Sequence, residues 1–108
     1  MTAEAAFDAL GNPVRRHIMS LLQRGPMSVT DVAAALPVSR PAVSKHLHVL
    51  QSADLVTHDK VGTRAMFRLH PVGFDAARDW LDGFWDDALR RFQLVAENTS
   101  TTTSEEAE

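Results

Sequence analysis

The fold of this chain is decided by residues 28–52, which read SVTDVAAALPVSRPAVSKHLHVLQS. The first half predicts a short helix, because Ser28 and Asp31 have the spacing of a capping box, in which each side chain bonds to the backbone of the other. Pro37 ends this helix after about two turns, since proline cannot continue a helical hydrogen-bond ladder. The apolar face of the helix is formed by Val29, Val32, Ala33 and Leu36.

The second half of the stretch predicts another helix, which runs to about residue 52 or 53. Ser39 is a favourable N-cap, and Pro41 is tolerated in the first turn, where its missing N–H costs little. Val43, Leu47 and Leu50 fall on one helical face and form its buried stripe. Two short helices, the second amphipathic and polar at its N-terminal end, are typical of a helix-turn-helix motif, with residues 39–52 as the recognition helix.

Residues 55–70 alternate with a period of two around Gly62, which predicts an antiparallel hairpin with this glycine at its tip. Pairing about the glycine would place Lys60 beside Arg64. Like charges in that position cost stability unless an anion lies opposite them. A hairpin directly after a recognition helix is a wing. We therefore expect a mainly α fold with a small β-hairpin, a winged helix-turn-helix.

Further helices are predicted on both sides of this motif. Residues 3–10 form a short amphipathic helix, and Asn12-Pro13 opens another that Gly25-Pro26 ends. The last helix begins near Pro71 and runs to about Glu97. Its apolar arc is wider than one side of a compact core requires.

The apolar residues of the first and last helices predict a homodimer interface. A short chain buries only part of its surface by itself, and aromatic residues concentrate where identical subunits meet. The alternative is that Trp80 and Trp85 cap the core of their own chain. The predicted interface residues are Phe7, Leu10, Trp80, Leu81, Phe84, Trp85, Ala88 and Phe92.

The composition excludes several classes of protein. The chain has 108 residues, a length that suits one small domain and argues against an enzyme with an interdomain cleft. It has no cysteine, which removes disulfides, thiol nucleophiles and cysteine-based metal sites. No apolar run approaches the ~18–20 residues that a membrane span needs, and no export signal is evident. We expect a cytoplasmic protein without a membrane partner.

The charge of the chain is unevenly distributed, although 11 basic and 14 acidic residues give a net charge of −3. Residues 38–68 carry five cations and two anions, whereas residues 69–96 carry three cations and five anions. Residues 98–108 are polar and acidic with almost nothing to bury, so we expect a disordered tail there and a folded domain at 1–97. Because local charge decides which face approaches a polyanion, the basic middle predicts a surface for double-stranded DNA.

The exposed face of the recognition helix carries the chemistry for this contact. Arg40 is the first candidate for reading a base, because a guanidinium can bond to both O6 and N7 of guanine. Pro41 offers apolar contact to a thymine methyl group, and Ser44 can reach a base or a phosphate. The remaining candidates are suited to phosphate contacts or to the helix start. The predicted DNA-binding residues are Ser39, Arg40, Pro41, Ser44, Lys45, His48, Lys60, Arg64 and Arg68.

Other interpretations of these patterns stay open. Each basic residue taken alone is also compatible with an ordinary solvated side chain. Arg15 and Arg16 can touch phosphate or form a salt bridge within the chain. An enzyme is disfavoured, since no phosphate loop, nucleophile elbow or metalloprotease motif is present. A protein–protein interaction module on a winged-helix scaffold is the stronger rival, although it would have no reason to keep a basic recognition helix and wing.

These residues resemble a known family. Residues 9–56, the wing VGTRAMFRL and the segment WLDGFWDDALRRF are similar to the ArsR family of winged helix-turn-helix repressors, and SRPAVSKHLHVL is the most specific stretch. The resemblance covers about residues 5–96. It implies a symmetric dimer that represses transcription from a palindromic operator and is released by an inducer, whose identity the sequence does not indicate.

The resemblance also bears on metal binding. Many family members sense metals through a Cys-x-Cys pair, and the matching positions here are Ser28 and Thr30, which bind soft metals poorly. Other members use Asp and His ligands on the C-terminal helices, but residues 71–108 contain no histidine. We therefore expect a cysteine-free member with no metal site and no cofactor.

Overall fold

Seven elements follow one another in this computed structural model, which describes the backbone of residues 2–107 and the side chains of residues 2–97. They are α1 (Ala3–Leu10), α2 (Pro13–Leu22), α3 (Val29–Ala35), α4 (Arg40–Ser52), β1 (Val56–Val61), β2 (Arg64–Leu69) and α5 (Pro71–Ala107). This order confirms the predicted winged helix-turn-helix, mainly α with a small hairpin. The last helix is predicted to end near Glu97, but the backbone of α5 continues to Ala107. The division into a domain at 1–97 and a tail at 98–108 stays a prediction.

The chain divides into two compact units, Met1–Arg78 and Asp79–Glu108. The first unit holds α1 to β2 and the first turns of α5, and the second holds the remainder of α5. Across the described residues, no helix is both long enough and apolar enough to pass through a bilayer.

The helix starts follow the capping residues that the sequence predicts. The Asn12 side chain accepts hydrogen bonds from the backbone N–H groups of Val14 and Arg15, at 2.8 and 3.1 Å. At α3 the capping box is complete, because the Ser28 hydroxyl accepts from the Asp31 N–H and the Asp31 carboxylate accepts from the Ser28 N–H. These bonds satisfy N–H groups that the first turn of a helix leaves without partners.

The core of the first unit lies where α2, α3 and α4 meet the base of the hairpin. Ile18, Val32 and Leu47 are fully buried there, and Leu55 joins them just before β1. The predicted stripe of α4, which consists of Val43, Leu47 and Leu50, has no exposed surface at all. Burial of three large side chains fixes how far α4 is rotated about its axis.

The end of α4 has a Schellman motif. Asp54 has a φ of 55°, its N–H bonds to the Gln51 carbonyl, and the Leu55 N–H bonds back to the Leu50 carbonyl. The Asp54 carbonyl then accepts a 2.8 Å hydrogen bond from the N–H of Gly73 in the first turn of α5. A side chain on Gly73 would collide with the carbonyl oxygens of Ala53 and Asp54, so only glycine allows this approach.

The predicted register of the hairpin is wrong by one residue. Lys60 lies opposite Ala65, and Arg64 lies opposite Val61, so the two cations are not paired across the strands. The loop has two residues, and Gly62 has the positive φ of 64° that the first residue of a type II′ turn requires. The sequence predicts a three-residue loop centred on Gly62, and that one-residue difference changes every cross-strand pair.

The hairpin also has a third pairing partner that the sequence does not reveal. Met27, just before α3, exchanges two backbone hydrogen bonds with Phe67 of β2, at 3.0 and 2.8 Å. β2 is therefore paired on both edges, and the base of the wing is held to the start of the helix-turn-helix.

Candidate nucleic-acid interface

The N-terminal half of α4 presents a polar, basic surface. Because its apolar stripe is buried, the opposite side of the helix faces solvent. Ser39 is the N-cap, and its hydroxyl accepts a 3.3 Å hydrogen bond from the Ala42 N–H. The predicted contact residues on this surface are all exposed, and they are Ser39, Arg40, Pro41, Ser44, Lys45 and His48.

An open groove lies beside the start of α4. It is lined by Arg40, Pro41 and Ser44 of α4 and by Val29 of α3. The sequence pattern places Val29 on the buried face of α3, but the structure leaves it half-buried, packed in part against the core and in part along the groove. The only sequence signal for this second role is its position directly after the Ser28 cap.

Arg64, one of the three predicted wing contacts, reaches back to the start of α3. Its Nη2 atom donates a 2.6 Å hydrogen bond to the Ser28 hydroxyl and lies 3.4 Å from the Asp31 carboxylate. Ser28 is only 4% exposed, whereas the Arg64 side chain is 55% exposed. The wing is thus joined to the capping box of α3 through one guanidinium group.

The same contacts act on the Asp31 carboxylate. Hydrogen bonds from the backbone and the side chain of Ser28 lower the pKa of Asp31, and the positive charge of Arg64 lowers it further. Partial desolvation opposes these effects but does not reverse them. Asp31 is therefore held in its charged form at the junction of α3 and the wing.

The other two wing cations differ from each other. The Arg68 Nε atom donates a 2.8 Å hydrogen bond to the Asp59 carboxylate, within an ion pair whose side chains are about half exposed. Lys60 is exposed and bonds to none of the side chains that the structure describes. Of the three predicted wing contacts, Lys60 is the one already available to an anion.

Arg15 and Arg16 bond to backbone carbonyl groups rather than to a carboxylate. Arg15 donates hydrogen bonds to the carbonyls of Ala9 and Asp8, at 2.6 and 3.1 Å, and Arg16 donates one to the carbonyl of Leu10 at 2.8 Å. These carbonyls belong to the last turn of α1, where the helix ladder supplies no further donors, although the Asp8 carbonyl also accepts a hydrogen bond from the N–H of the C-cap Gly11. Both arginines therefore hold α1 on the start of α2.

Large apolar side chains are exposed along α5. Trp80 and Phe84 stack with their ring centroids 5.4 Å apart, and Phe84 meets Trp85 edge to face at 5.9 Å. Trp80 is 53% exposed, Phe84 52%, Trp85 56% and Phe92 69%, whereas Ala88 is half-buried. Of the two interface residues predicted in α1, Phe7 is exposed, and Leu10 packs partly against the core of its own chain.

Potential metal ligands are dispersed over the part of the chain that the structure describes. Among those residues, no three His, Asp or Glu side chains come together in a group able to hold an ion. At the start of α3, the side-chain oxygens of Ser28 and Asp31 already accept hydrogen bonds from each other's backbone N–H, and the Ser28 hydroxyl also accepts one from Arg64.

The known proteins that this chain resembles are helix-turn-helix proteins. A family model for a helix-turn-helix domain matches residues 10–59. The HTH-type transcriptional regulator Rv2034 of Mycobacterium tuberculosis is 46% identical over 93 residues, which cover 85% of this chain and 87% of that protein.

Solved structures of similar fold are also transcriptional regulators. The ArsR-like transcriptional regulator from Rhodococcus sp. RHA1 matches with a TM-score of 0.78 at 31% identity, over 86% of this chain and 88% of the other. The homodimeric winged helix-turn-helix DNA-binding domain of Mb0332 from Mycobacterium bovis, a possible ArsR-family transcriptional regulator, matches with a TM-score of 0.61 at 30% identity, over 82% of each chain.

Proposed function

This chain belongs to the ArsR family of winged helix-turn-helix transcriptional regulators and is a DNA-binding regulator, and we propose that it represses transcription as a homodimer on a palindromic operator. The observation that carries the proposal is the rotation of α4. Three fully buried residues on one side leave a basic and polar surface on the other, at the helix end that such motifs insert into the major groove.

Base reading is assigned to the first turn and a half of α4. Arg40 is exposed at the first helical position, where its guanidinium can bond to guanine O6 and N7. Ser44 lies one turn further along the same groove and can donate to or accept from a base edge. The N-terminal amides of α4 near Ser39 add a favourable site for one phosphate.

Phosphate contacts are assigned to the remaining basic residues. Lys45 and His48 are exposed on α4, and Lys60 is exposed on the wing. Arg64 and Arg68 are engaged in exposed ion pairs, which contribute only about 0–1 kcal/mol each. Since an arginine–phosphate contact is comparable in strength, Arg68 can exchange the Asp59 carboxylate for the DNA backbone. Arg64 can likewise exchange the Asp31 carboxylate while it keeps its hydrogen bond to Ser28.

The dimer is assigned to the exposed aromatic face of α5, with a contribution from Phe7 of α1. Rings that are half exposed in one chain lose that surface when a second copy covers them. We expect Phe84→Ala to shift the protein toward monomer in sedimentation, whereas Gln93→Ala, an exposed change on the same helix, leaves the dimer intact. A Phe84→Ala protein that stays dimeric at all concentrations would argue against this face.

The decisive test of the function is selection from a randomised duplex library, followed by gel shifts at two salt concentrations. A homodimer that reads DNA should enrich two inverted half-sites about 10–10.5 bp apart, or a multiple of that. Binding to the enriched site should weaken as salt rises, because phosphate contacts release counterions. An unenriched pool and unchanged mobility at both salt concentrations would favour the protein–protein interaction module.

Residues 1–97 serve as the DNA-binding and dimerisation domain, and residues 98–108 as an acidic tail. Family members are regulators rather than enzymes, so no catalytic role is assigned, and the proposed location of the protein is the cytoplasm. Neither zinc nor arsenite should release the DNA, since the chain has no cysteine and its described residues form no group of three His, Asp or Glu side chains.

A further inference from the structure

We infer that the groove between α3 and α4 receives the 5-methyl group of one thymine in each half-site, and that Val29 is a specificity-determining residue. This inference rests on the proposed reading of DNA by α4. It adds a residue from the preceding helix to the surface that selects the base.

The chemistry of the groove walls is mixed. Arg40 and Ser44 offer hydrogen bonds, but the other two walls, Val29 and Pro41, offer none from their side chains. Pro41 also lacks a backbone N–H. A groove of this kind suits a base edge that carries both a hydrogen-bonding atom and an apolar group.

Thymine is the base that matches this description. In the major groove it presents the O4 acceptor and the C5-methyl group, whereas cytosine presents an amino donor and the purines present no methyl group. Valine and proline would bury the methyl group, while the hydroxyl of Ser44 donates a hydrogen bond to O4. A phosphate would gain nothing from the two apolar walls, because it needs charge and hydrogen bonds.

The position of Val29 is fixed firmly enough for such discrimination. It is the first residue of α3, directly after Ser28, and Ser28 is bonded to both Asp31 and Arg64. The rest of the Val29 side chain packs against the core. A wall held on two sides can distinguish one methyl group, which a mobile side chain cannot do.

The test is a uracil scan of the duplex that the wild-type protein selects. Each thymine is replaced in turn by uracil, which differs only by lacking the methyl group, and the Kd is measured. Loss of one buried methyl group should weaken binding about fourfold at one position in each half-site, at about 0.8 kcal/mol per group. At other thymines the ratio of the two Kd values should stay near one.

Variants of Val29 then test whether this side chain forms the groove wall that contacts the methyl group. For Val29→Ala, the ratio of the Kd for the uracil duplex to the Kd for the thymine duplex should fall from fourfold to below about twofold at the sensitive position. For Val29→Ile, the fourfold ratio should be retained. Val72→Ala is the matched control, because Val72 is a partly exposed valine in α5 outside the groove and should keep the full ratio. If Val29→Ala fails to fold, Val29→Thr has nearly the same shape and should also lose the ratio.

The outcomes separate this inference from the proposed function. Failure to select any sequence would overturn the proposed function itself. A selected sequence with no uracil-sensitive position, or a sensitivity that Val29→Ala leaves unchanged, would overturn the inference while DNA reading by α4 stands. A uniform loss of affinity on all duplexes in Val29→Ala would equally overturn it, because that result indicates a contact without base selectivity.

Discussion

Replacing Ser28 by alanine removes the centre of the junction between α3 and the wing. The Ser28 hydroxyl accepts a 3.1 Å hydrogen bond from the Asp31 N–H and a 2.6 Å hydrogen bond from Arg64. Ser28 as a residue is only 4% exposed, so in Ser28→Ala a water molecule cannot easily replace the lost hydroxyl. Ser28→Ala therefore removes a helix cap and, through the same atom, the attachment of the wing.

The magnitude follows from these two interactions. Loss of an N-cap costs about 1 kcal/mol in the free energy of unfolding. The hydrogen bond from a charged donor would add more in a buried site, but the Arg64 side chain is 55% exposed, so about 0.5–1 kcal/mol is appropriate. The sum is about 1.5–2 kcal/mol, or a fall of roughly 6–8 °C in Tm for a domain of this size.

The assay is thermal and urea unfolding at one fixed protein concentration, because the unfolding of the proposed dimer would depend on concentration. Ser39→Ala is the matched control, since Ser39 is an exposed N-cap with one cap hydrogen bond of 3.3 Å. It should cost only about 0.5–1 kcal/mol. A double-mutant cycle between Ser28→Ala and Arg64→Ala should give a coupling of about 0.5–1 kcal/mol. Equal losses for the two serines, together with a coupling near zero, would refute the role of Arg64 in this junction.

Three further predictions concern charge and DNA. Because the pKa of Asp31 is lowered in the folded state, its carboxylate stabilises the fold fully above the unfolded-state pKa near 3.8. That contribution is lost as the pH falls through the lowered pKa. Asp31→Asn should therefore lack this part of acid unfolding when the free energy of unfolding is measured as a function of pH. Arg40→Ala should lose about 1–3 kcal/mol of discrimination at one base pair per half-site, and an unchanged selected sequence would contradict the assignment. Lys60→Ala should weaken binding to all sequences and reduce the salt slope by about 0.9 for each phosphate that Lys60 neutralises, whereas an unchanged slope would remove Lys60 from the interface.

The helices of the first unit could be predicted from the sequence because their limits depend on local chemistry. Ser28 with Asp31, and Asn12 before Pro13, satisfy the first N–H groups of their helices whatever the remainder of the chain does. The stripe of Val43, Leu47 and Leu50 also determines which side of α4 is exposed. Most of the proposed recognition surface follows from those local rules.

The remaining features depend on pairs of residues far apart in the chain. The predicted register of the hairpin is wrong because one glycine is compatible with loops of two or three residues, and the pairing of Met27 with Phe67 has no local sequence signal. The sequence assigns Arg64 to DNA on its charge alone, although the residues that bond to it precede it by more than thirty positions. Val29 escapes prediction for the same reason, since its neighbours in the groove belong to the next helix.

The start of α3 also bears on the expectation, drawn from the family resemblance, that this chain has no metal site. By that resemblance, Ser28 and Thr30 occupy the positions where a Cys-x-Cys pair is expected in metal-sensing members. Here the hydroxyl of Ser28 and the carboxylate of Asp31 already accept hydrogen bonds from the backbone and from Arg64. An ion bound there would have to break the cap of α3 and release the wing, so its binding energy would be offset by the lost structure. In this chain the start of α3 holds the wing to the helix-turn-helix, through the contact of Arg64 with Ser28 and Asp31.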